Sequence, residues 1–304
     1  RNGVVEQTRR HAFLASLLQV PHLVVCVNKM DLVGFDRDVF DRVRDQFREF
    51  AMRLDVSDLT FIPVSALHGD NIVERSPNMA WYDGASLLHH LEEVHIDSDR
   101  NLTDPRFPVQ WVVRPRGDEH HDYRGYAGTV AGGVIKLGDE VMVLPSGFTS
   151  TVFALDTPAG PVDQAFSPMA VTVRLADDLD ISRGDMLCRP NNRPIATQDL
   201  DTTICWMDES SELRPGQKLA IKHTTRWARA MVVDLVYRLD INTLHRDSGA
   251  SALGLNEIGR VRLRCTRPLF VDDYRRNRIT GSFMLVDEAT NATVAAGMIR
   301  GAGS

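Results

Sequence analysis

Leu23-Val24-Val25-Cys26-Val27-Asn28-Lys29-Met30-Asp31 is the stretch on which the fold turns. Five apolar residues give way to a short polar segment, the pattern of a buried strand that ends in a loop. The flanking sequence extends the pattern. Gln7 to Val20 predicts a helix with Phe13, Leu14, Leu17 and Leu18 turned inward and Pro21 as its stop. Phe40, Val43, Phe47, Phe50 and Leu54 recur at spacings of three and four, so a second amphipathic helix follows the loop. Phe61-Ile62-Pro63-Val64 predicts another short buried strand, and a last helix is expected over Ala85 to Val94. Strand, loop, helix, strand in this order is what an open α/β sheet uses to bring two loops together at the carboxyl ends of its strands.

The loop chemistry narrows the reading. Asn28-Lys29-Met30-Asp31 resembles the base-reading motif of GTPases. A carboxylate at Asp31 can accept from both N1-H and the 2-amino group of guanine, whereas adenine lacks that donor pair and would leave the carboxylate desolvated and unpaired. Asn28 would tie the loop to the rest of the site, and the stem of Lys29 would lie over the purine face with its ammonium in water. Ser65-Ala66-Leu67, at the end of the second strand, stands where such GTPases offer a backbone N-H to guanine O6. Ser-Ala-Leu alone carries almost no information; order and spacing give it weight. The guanine-binding residues expected are thus Asn28, Lys29, Asp31, Ser65, Ala66 and Leu67. The competing account is a strand-end turn with a helix cap.

The phosphate half of such a site is not found. A P-loop needs Gly-Lys-Ser/Thr so that backbone amides cradle the phosphates and the hydroxyl holds magnesium. The four lysines, Lys29, Lys136, Lys218 and Lys222, never follow a glycine. Asp-x-x-G matches at Asp31 to Gly34 and at Asp122 to Gly125, but the first is the base-reading loop and the second lies far outside the sheet. The chain opens on Arg1, so the expectation is a fragment without its P-loop and switch regions; a degenerate pseudo-GTPase is the alternative. No catalytic residue and no metal ligand can be assigned, and the fragment alone is expected to be inactive and to bind GTP weakly or not at all.

Composition sets wider bounds. At 304 residues with 43% apolar residues the chain can build two or three cored domains. Thirty-five basic residues against 41 acidic ones give a net charge of −6, which argues against a general nucleic-acid or membrane-surface role. Cys26, Cys188, Cys205 and Cys265 have no metal-like spacing, and reduced thiols in a cytoplasmic protein fit best. No apolar run reaches the roughly twenty residues of a membrane span.

After residue 96 short β-rich runs and frequent turn residues replace the helices. Val109–Val113, Ala127–Val130, Val141–Leu144, Thr151–Leu155, Ala170–Leu175 and Met186–Cys188 predict one barrel. Thr203–Met207, Gln217–His223, Ala228–Leu239, Gly259–Cys265, Ser282–Asp287 and Val294–Ile299 predict a second. The domain reading is therefore the C-terminal part of a GTPase domain over 1–97, a linker over 98–106, and β-barrels over 107–195 and 199–304.

A partial P-loop GTPase domain of the α/β class followed by two all-β barrels resembles the elongation factor Tu architecture. Within that class the sequence resembles the GTPase subunit of bacterial sulfate adenylyltransferase. The likeness covers nearly the whole chain. It is carried by Gln7-Thr8-Arg9-Arg10-His11, Asn28-Lys29-Met30-Asp31-Leu32, Leu67-His68-Gly69-Asp70-Asn71 and Trp81-Tyr82. In the barrels it continues through Arg106-Phe107-Pro108-Val109-Gln110, Arg124-Gly125-Tyr126-Ala127-Gly128-Thr129, Leu144-Pro145-Ser146-Gly147, Asp180-Ile181-Ser182-Arg183-Gly184-Asp185 and Asn291-Ala292-Thr293-Val294-Ala295-Ala296-Gly297-Met298. The barrel phrases discriminate best, because the GTPase words are shared across the class.

The resemblance implies a GTPase that, with GTP and Mg2+ in the full-length protein, drives synthesis of adenylyl sulfate (APS) and pyrophosphate from ATP and sulfate. It implies a small catalytic subunit of sulfate adenylyltransferase as partner, and it leaves open a fused C-terminal APS kinase domain. Two rival readings remain: a translational GTPase delivering aminoacyl-tRNA, which would normally carry a more basic footprint, and a non-catalytic barrel scaffold. Other residues carry less. His120-His121-Asp122 and Arg275-Arg276-Asn277-Arg278 read as solvated loops, His89-His90 as a surface pair, and Trp81, Trp111, Trp206 and Trp227 as core or interface residues.

Overall fold

The computed structural model describes residues 3–54, 56, 58–94, 101–115, 123–241 and 243–303. The chain divides into two compact units, Arg1–Asp99 with Ile241–Leu244, and Arg100–Asp240 with His245–Ser304.

In the first unit the two apolar runs pair as expected. β1 (His22–Val27) lies parallel to β2 (Asp58–Pro63), with Val25 opposite Phe61 and Val27 opposite Pro63. A parallel pair needs a crossover, and α2 (Arg37–Ala51) supplies it. Asp36 starts this helix by accepting from the Asp38 and Val39 amides. Phe40, Phe47 and Phe50 are buried on its inner face, where Phe47 meets Phe61 edge to face at 5.7 Å. Leu54 lies beyond the helix end and packs on the same cluster.

α1 (Glu6–Leu17) differs from expectation in its last turn. Gln19 adopts a left-handed φ of 51°, the Gln19 amide bonds Ser16 O and the Val20 amide bonds Ala15 O. That paired closure ends the helix before Pro21 is reached. Leu18 falls outside the last turn and is exposed, while Ala12 and Ser16 are the buried residues. The last helix, α3 (Leu87–Glu93), is shorter than expected.

The second unit holds two barrels. The first consists of β3 (Arg106–Val113), β4 (Gly125–Thr129), β5 (Val134–Lys136), β6 (Glu140–Leu144), β7 (Thr149–Thr157), β8 (Gly160–Pro161), β9 (Gln164–Phe166), β10 (Ala170–Leu175) and β11 (Met186–Cys188). Six of these close a ring in the order β10-β4-β3-β11-β6-β7 and back to β10, which removes the free edges of an open sheet. Every pairing in the ring is antiparallel. Phe107, Val109, Tyr126, Val152, Leu155 and Val173 fill it.

The second barrel consists of β12 (Ile195–Trp206), β13 (Lys218–His223), β14 (Arg226–Leu239), β15 (Arg246–Asp247), β16 (Ile258–Val271), β17 (Ser282–Val286) and β18 (Thr293–Ala302). It closes in the order β13-β17-β18-β12-β16-β14 and back to β13, with β15 appended to β14. Trp206, Ile221, Leu263 and Phe283 are among its core residues. No helix among the described residues is long and apolar enough to cross a membrane.

Buried charge joins the two barrels. The fully buried Arg106, first residue of β3, donates from Nε and Nη2 to the two carboxylate oxygens of Asp272, just past β16, at 2.8 and 2.9 Å. Its remaining donors reach Asn192 O, Asn192 Oδ1 and Pro105 O, so the guanidinium is satisfied without water. Asp104, also buried, accepts from Arg276 at 2.6 and 2.7 Å, from Asn192 and from Asn101. Those bonds, that of Arg276 foremost, hold its carboxyl well below the usual carboxylate range. Gly133 sits beside this junction with φ +67°, and a Cβ there would lie 2.3 Å from Pro105 N. Only glycine fits.

This corrects the expectation for Arg275-Arg276-Asn277-Arg278. Its three arginines are exposed as expected, but two of its residues are tied to the junction: Arg276 pairs with Asp104, and the buried Asn277 donates to Ala131 O at 3.1 Å. Of the expected linker over 98–106, residues 98–100 lie outside the described residues, and Asp104 and Arg106 are buried. His120, His121 and Asp122 also lie outside them.

The same junction contains His223, fully buried, with Nε2 2.7 Å from Thr280 O. Burial lowers its pKa. An unfolded chain therefore takes up a proton there more readily than the folded one, so stability present above about pH 6.5 is lost as pH falls, and Asp104 adds a further loss below about pH 3.9. The urea midpoint is expected to drop between pH 7.5 and 5 in the wild type and to change less in His223→Gln. Identical pH profiles for the two proteins would contradict this assignment.

Candidate functional site

Both loops singled out in the sequence leave the carboxyl ends of the parallel strands, and the backbone ladder continues into them. Val64 N donates to Val27 O at 2.9 Å, and Met30 N donates to Val64 O at 3.2 Å. Lys29 then adopts a left-handed φ of 68°, and a short 3-10 turn runs over Met30–Val33. Met30 is buried and pins the turn to the core, so the residues on either side, Lys29 and Asp31, can face outward.

Two side-chain hydrogen bonds fix the loops to each other, and a third orders the first loop. Asn28 Oδ1 accepts from its neighbour Lys29 N at 2.7 Å and from Ala66 N, across the sheet edge, at 3.1 Å. Ser65, fully buried, donates from Oγ to Asp31 Oδ1 at 2.7 Å. The other Asp31 oxygen, Oδ2, lies 4.0 Å from His68 Nε2. The Asp31 side chain keeps 14% of its surface exposed, enough to be reached by a planar donor pair yet held in one orientation by Ser65.

The second loop has its own support. Ser65 N donates to Asp70 O, while Gly69 N and Asp70 N return to Ser65 O at 2.8 and 3.1 Å. Asn71 donates from Nδ2 to Pro63 O at 2.9 Å and accepts Ser76 N at 2.7 Å. Asp70 Oδ1 accepts from Ser76 Oγ and from Asn78. The roles of Asp70, Asn71 and Ser76 were not read from the sequence. Their signal is a run of hydrogen-bonding side chains directly behind a strand-end loop, but nothing in the sequence states which backbone groups they satisfy.

All six expected base-site residues thus lie on two adjacent loops. Asn28, Asp31, Ser65 and Ala66 are joined by hydrogen bonds. Lys29 and Leu67 are exposed, Leu67 at 83%, and neither side chain makes a hydrogen bond to the other four. The Ala66 amide, one of the backbone N-H groups of the segment expected to reach a base carbonyl, already serves Asn28 Oδ1.

No group of three or more His, Cys, Asp or Glu side chains among the described residues could hold a metal ion. Of the four cysteines, all free, Cys26 is exposed on β1, whereas burial pushes the Cys188 thiol up to about 11 and the Cys265 thiol up to about 12. Neither buried thiol is a nucleophile at neutral pH.

Residues 1–104 match the family described as elongation factor Tu GTP binding domain, and residues 199–300 match the GTP-eEF1A C-terminal domain-like family. The chain is 60% identical over 299 residues to the bifunctional enzyme CysN/CysC of Mycobacterium tuberculosis, which covers 98% of this chain and 49% of that protein. It is 46% identical over 299 residues to sulfate adenylyltransferase subunit 1 of Bacteroides fragilis, covering 98% of this chain and 62% of that one. The chain thus spans about half the length of the bifunctional relatives, 49% and 46% for those of M. tuberculosis and Rhodopirellula baltica. Among solved structures, sup35 complexed with GDP superposes with a TM-score of 0.61 at 25% identity, covering 99% of this chain and 75% of that one.

If Asn28 Oδ1 is the clamp between the loops, Asn28→Ala is expected to speed amide exchange of Lys29 and Ala66 by about tenfold or more while the β1 and β2 amides keep their protection. Unchanged exchange at Ala66 would show that the second loop holds its place unaided.

Proposed function

Since this chain belongs to the elongation factor Tu-like GTPases, in the branch that contains sulfate adenylyltransferase subunit 1, we propose that it serves as the GTPase subunit of a sulfate adenylyltransferase. The observation that carries the reading is the 60% identity over 299 residues, a span of 98% of the chain that takes in the barrels as well as the base loops. The base loops alone would fit any member of the class.

In this reading Asp31 receives N1-H and the 2-amino group of guanine, with Ser65 orienting its carboxylate. Asn28 fixes the distance between the loops, Lys29 covers one face of the purine, and Ser65, Ala66 and Leu67 wall the other side of the pocket. The nucleotide is GTP, in line with the GDP complex of the structural neighbour. Mg2+ and the phosphates are held by groups outside the described residues, and no hydrolytic step is assigned to any residue here. Residues 1–97 act as the base-binding part of the GTPase domain, and the barrels over 107–195 and 199–304 act as its output.

The coupled reaction is adenylyl transfer from ATP to sulfate, carried out by a smaller catalytic subunit in the cytoplasm, where four free thiols persist. GTP hydrolysis assists that synthesis only if nucleotide state changes the relative energies of two arrangements of the protein. The bifunctional relatives favour an APS kinase domain on the same polypeptide.

APS formation by the full-length protein with the small subunit tests this reading. Synthesis is expected to require GTP and to stop when GTP is replaced by a non-hydrolysable analogue. Equal synthesis without GTP would sink the coupling.

A further inference from the structure

The outer face of the second barrel carries a surface that the reading above does not use. On β14, Trp227, Met231 and Val233 are 46%, 38% and 48% exposed, and on β17 Met284 is 39% exposed. The register places them together. Lys222 on β13 pairs with Trp227 on one side and Met284 on the other, and Lys218 pairs with Met231. β13 alternates cleanly, with Leu219, Ile221 and His223 buried and Lys218, Ala220 and Lys222 turned out. The result is a sheet face of large apolar side chains with two ammonium groups set among them.

Those ammonium groups have no carboxylate partner among the described residues. Lys222 Nζ lies 5.7 Å from the centre of the Trp227 ring, and Lys218 makes no ion pair. The neighbouring Arg229, by contrast, donates to Glu288 at 2.7 Å. Half of the four lysines of the chain stand on this one face of β13, with Ala220 between them, in a protein of net charge −6. Tryptophan and methionine are enriched at the cores of protein interfaces and lysine is depleted there, so lysines within such a patch need an opposite charge from the partner. Two-fold pairing of this face with a second copy would bring four of these ammonium groups into one interface, whereas an acidic partner would neutralise them.

We propose that the outer face of β17, β13 and β14 docks a partner protein that presents carboxylates among apolar side chains. Trp227, Met231, Val233 and Met284 supply the apolar contact, and Lys218 and Lys222 set its register. Resting on the functional reading above, the partner is the small subunit of sulfate adenylyltransferase.

Calorimetric titration of the full-length protein with that subunit, at low and high NaCl, tests the assignment. Wild-type affinity is expected to fall as salt rises. The pair Lys218→Glu and Lys222→Glu should weaken binding by about tenfold or more and reverse the salt response, and the pair Trp227→Ser and Met231→Ser should weaken it by a similar factor. Trp111→Ser, on the first barrel, should bind as wild type. The lysine pair is outside the core, so its circular dichroism should match wild type. Wild-type binding that neither pair alters would overturn the docking face and leave the functional reading standing. No wild-type binding would overturn both. Loss of a self-associated form in the variants, with subunit binding unchanged, would assign the face to a second copy and also overturn the proposal.

Discussion

One side-chain carbonyl holds the candidate base site together. Asn28 Oδ1 takes the amide of Lys29 in its own loop and the amide of Ala66 in the next, so the position of one loop fixes that of the other. The hydrogen bond from Ser65 to Asp31 acts in the same direction. A carboxylate meant to discriminate one purine from another must be aimed before the base arrives, because a swinging carboxylate would accept from many donors and select few. The parallel pairing of β1 with β2 provides the common edge from which both loops start, and the aromatic face of α2 keeps that edge rigid from below.

A different constraint governs the barrels. Each closes on itself and satisfies its own backbone, so the junction within the second unit depends on side chains. Arg106 with Asp272 and Asp104 with Arg276 supply them. A buried ion pair such as Arg106 with Asp272 contributes little net stability over an apolar pair of the same shape, but removing one of these two partners costs about 3–5 kcal/mol because the other is left charged and dry; Arg276, by contrast, is more than half exposed. The four charged groups therefore specify one arrangement of the two barrels more than they strengthen it.

What the sequence made legible was local. Asn28 to Asp31 and Ser65 to Leu67 could be placed because each directly follows a short apolar strand. The phenylalanines of α2 announced their face by spacing alone. Strands of two or three residues, such as Gly160–Pro161 and Val134–Lys136, carry too little pattern to be read. Contacts across 166 and 172 residues, as between Arg106 and Asp272 and between Asp104 and Arg276, leave no periodic trace. Arg276 looked like part of a solvated basic cluster for that reason. The turn that ends α1 was missed because Gln19 is an unusual left-handed residue and Pro21 is a more conspicuous stop. The polar residues beneath the second loop, Asp70, Asn71 and Ser76, were legible as a motif but not as a support.

The central claim is that Asp31 reads the base. Competition between GTP and xanthosine triphosphate for the full-length protein, before and after Asp31→Asn, tests it most directly. Guanine offers donors at N1 and at the 2-amino group, whereas xanthine has a carbonyl at position 2, which an amide N-H can meet and a carboxylate cannot. Wild type should prefer GTP, and the variant should lose GTP by about a hundredfold or more while gaining xanthosine triphosphate. An Asp31→Asn protein that still prefers GTP would place base recognition elsewhere.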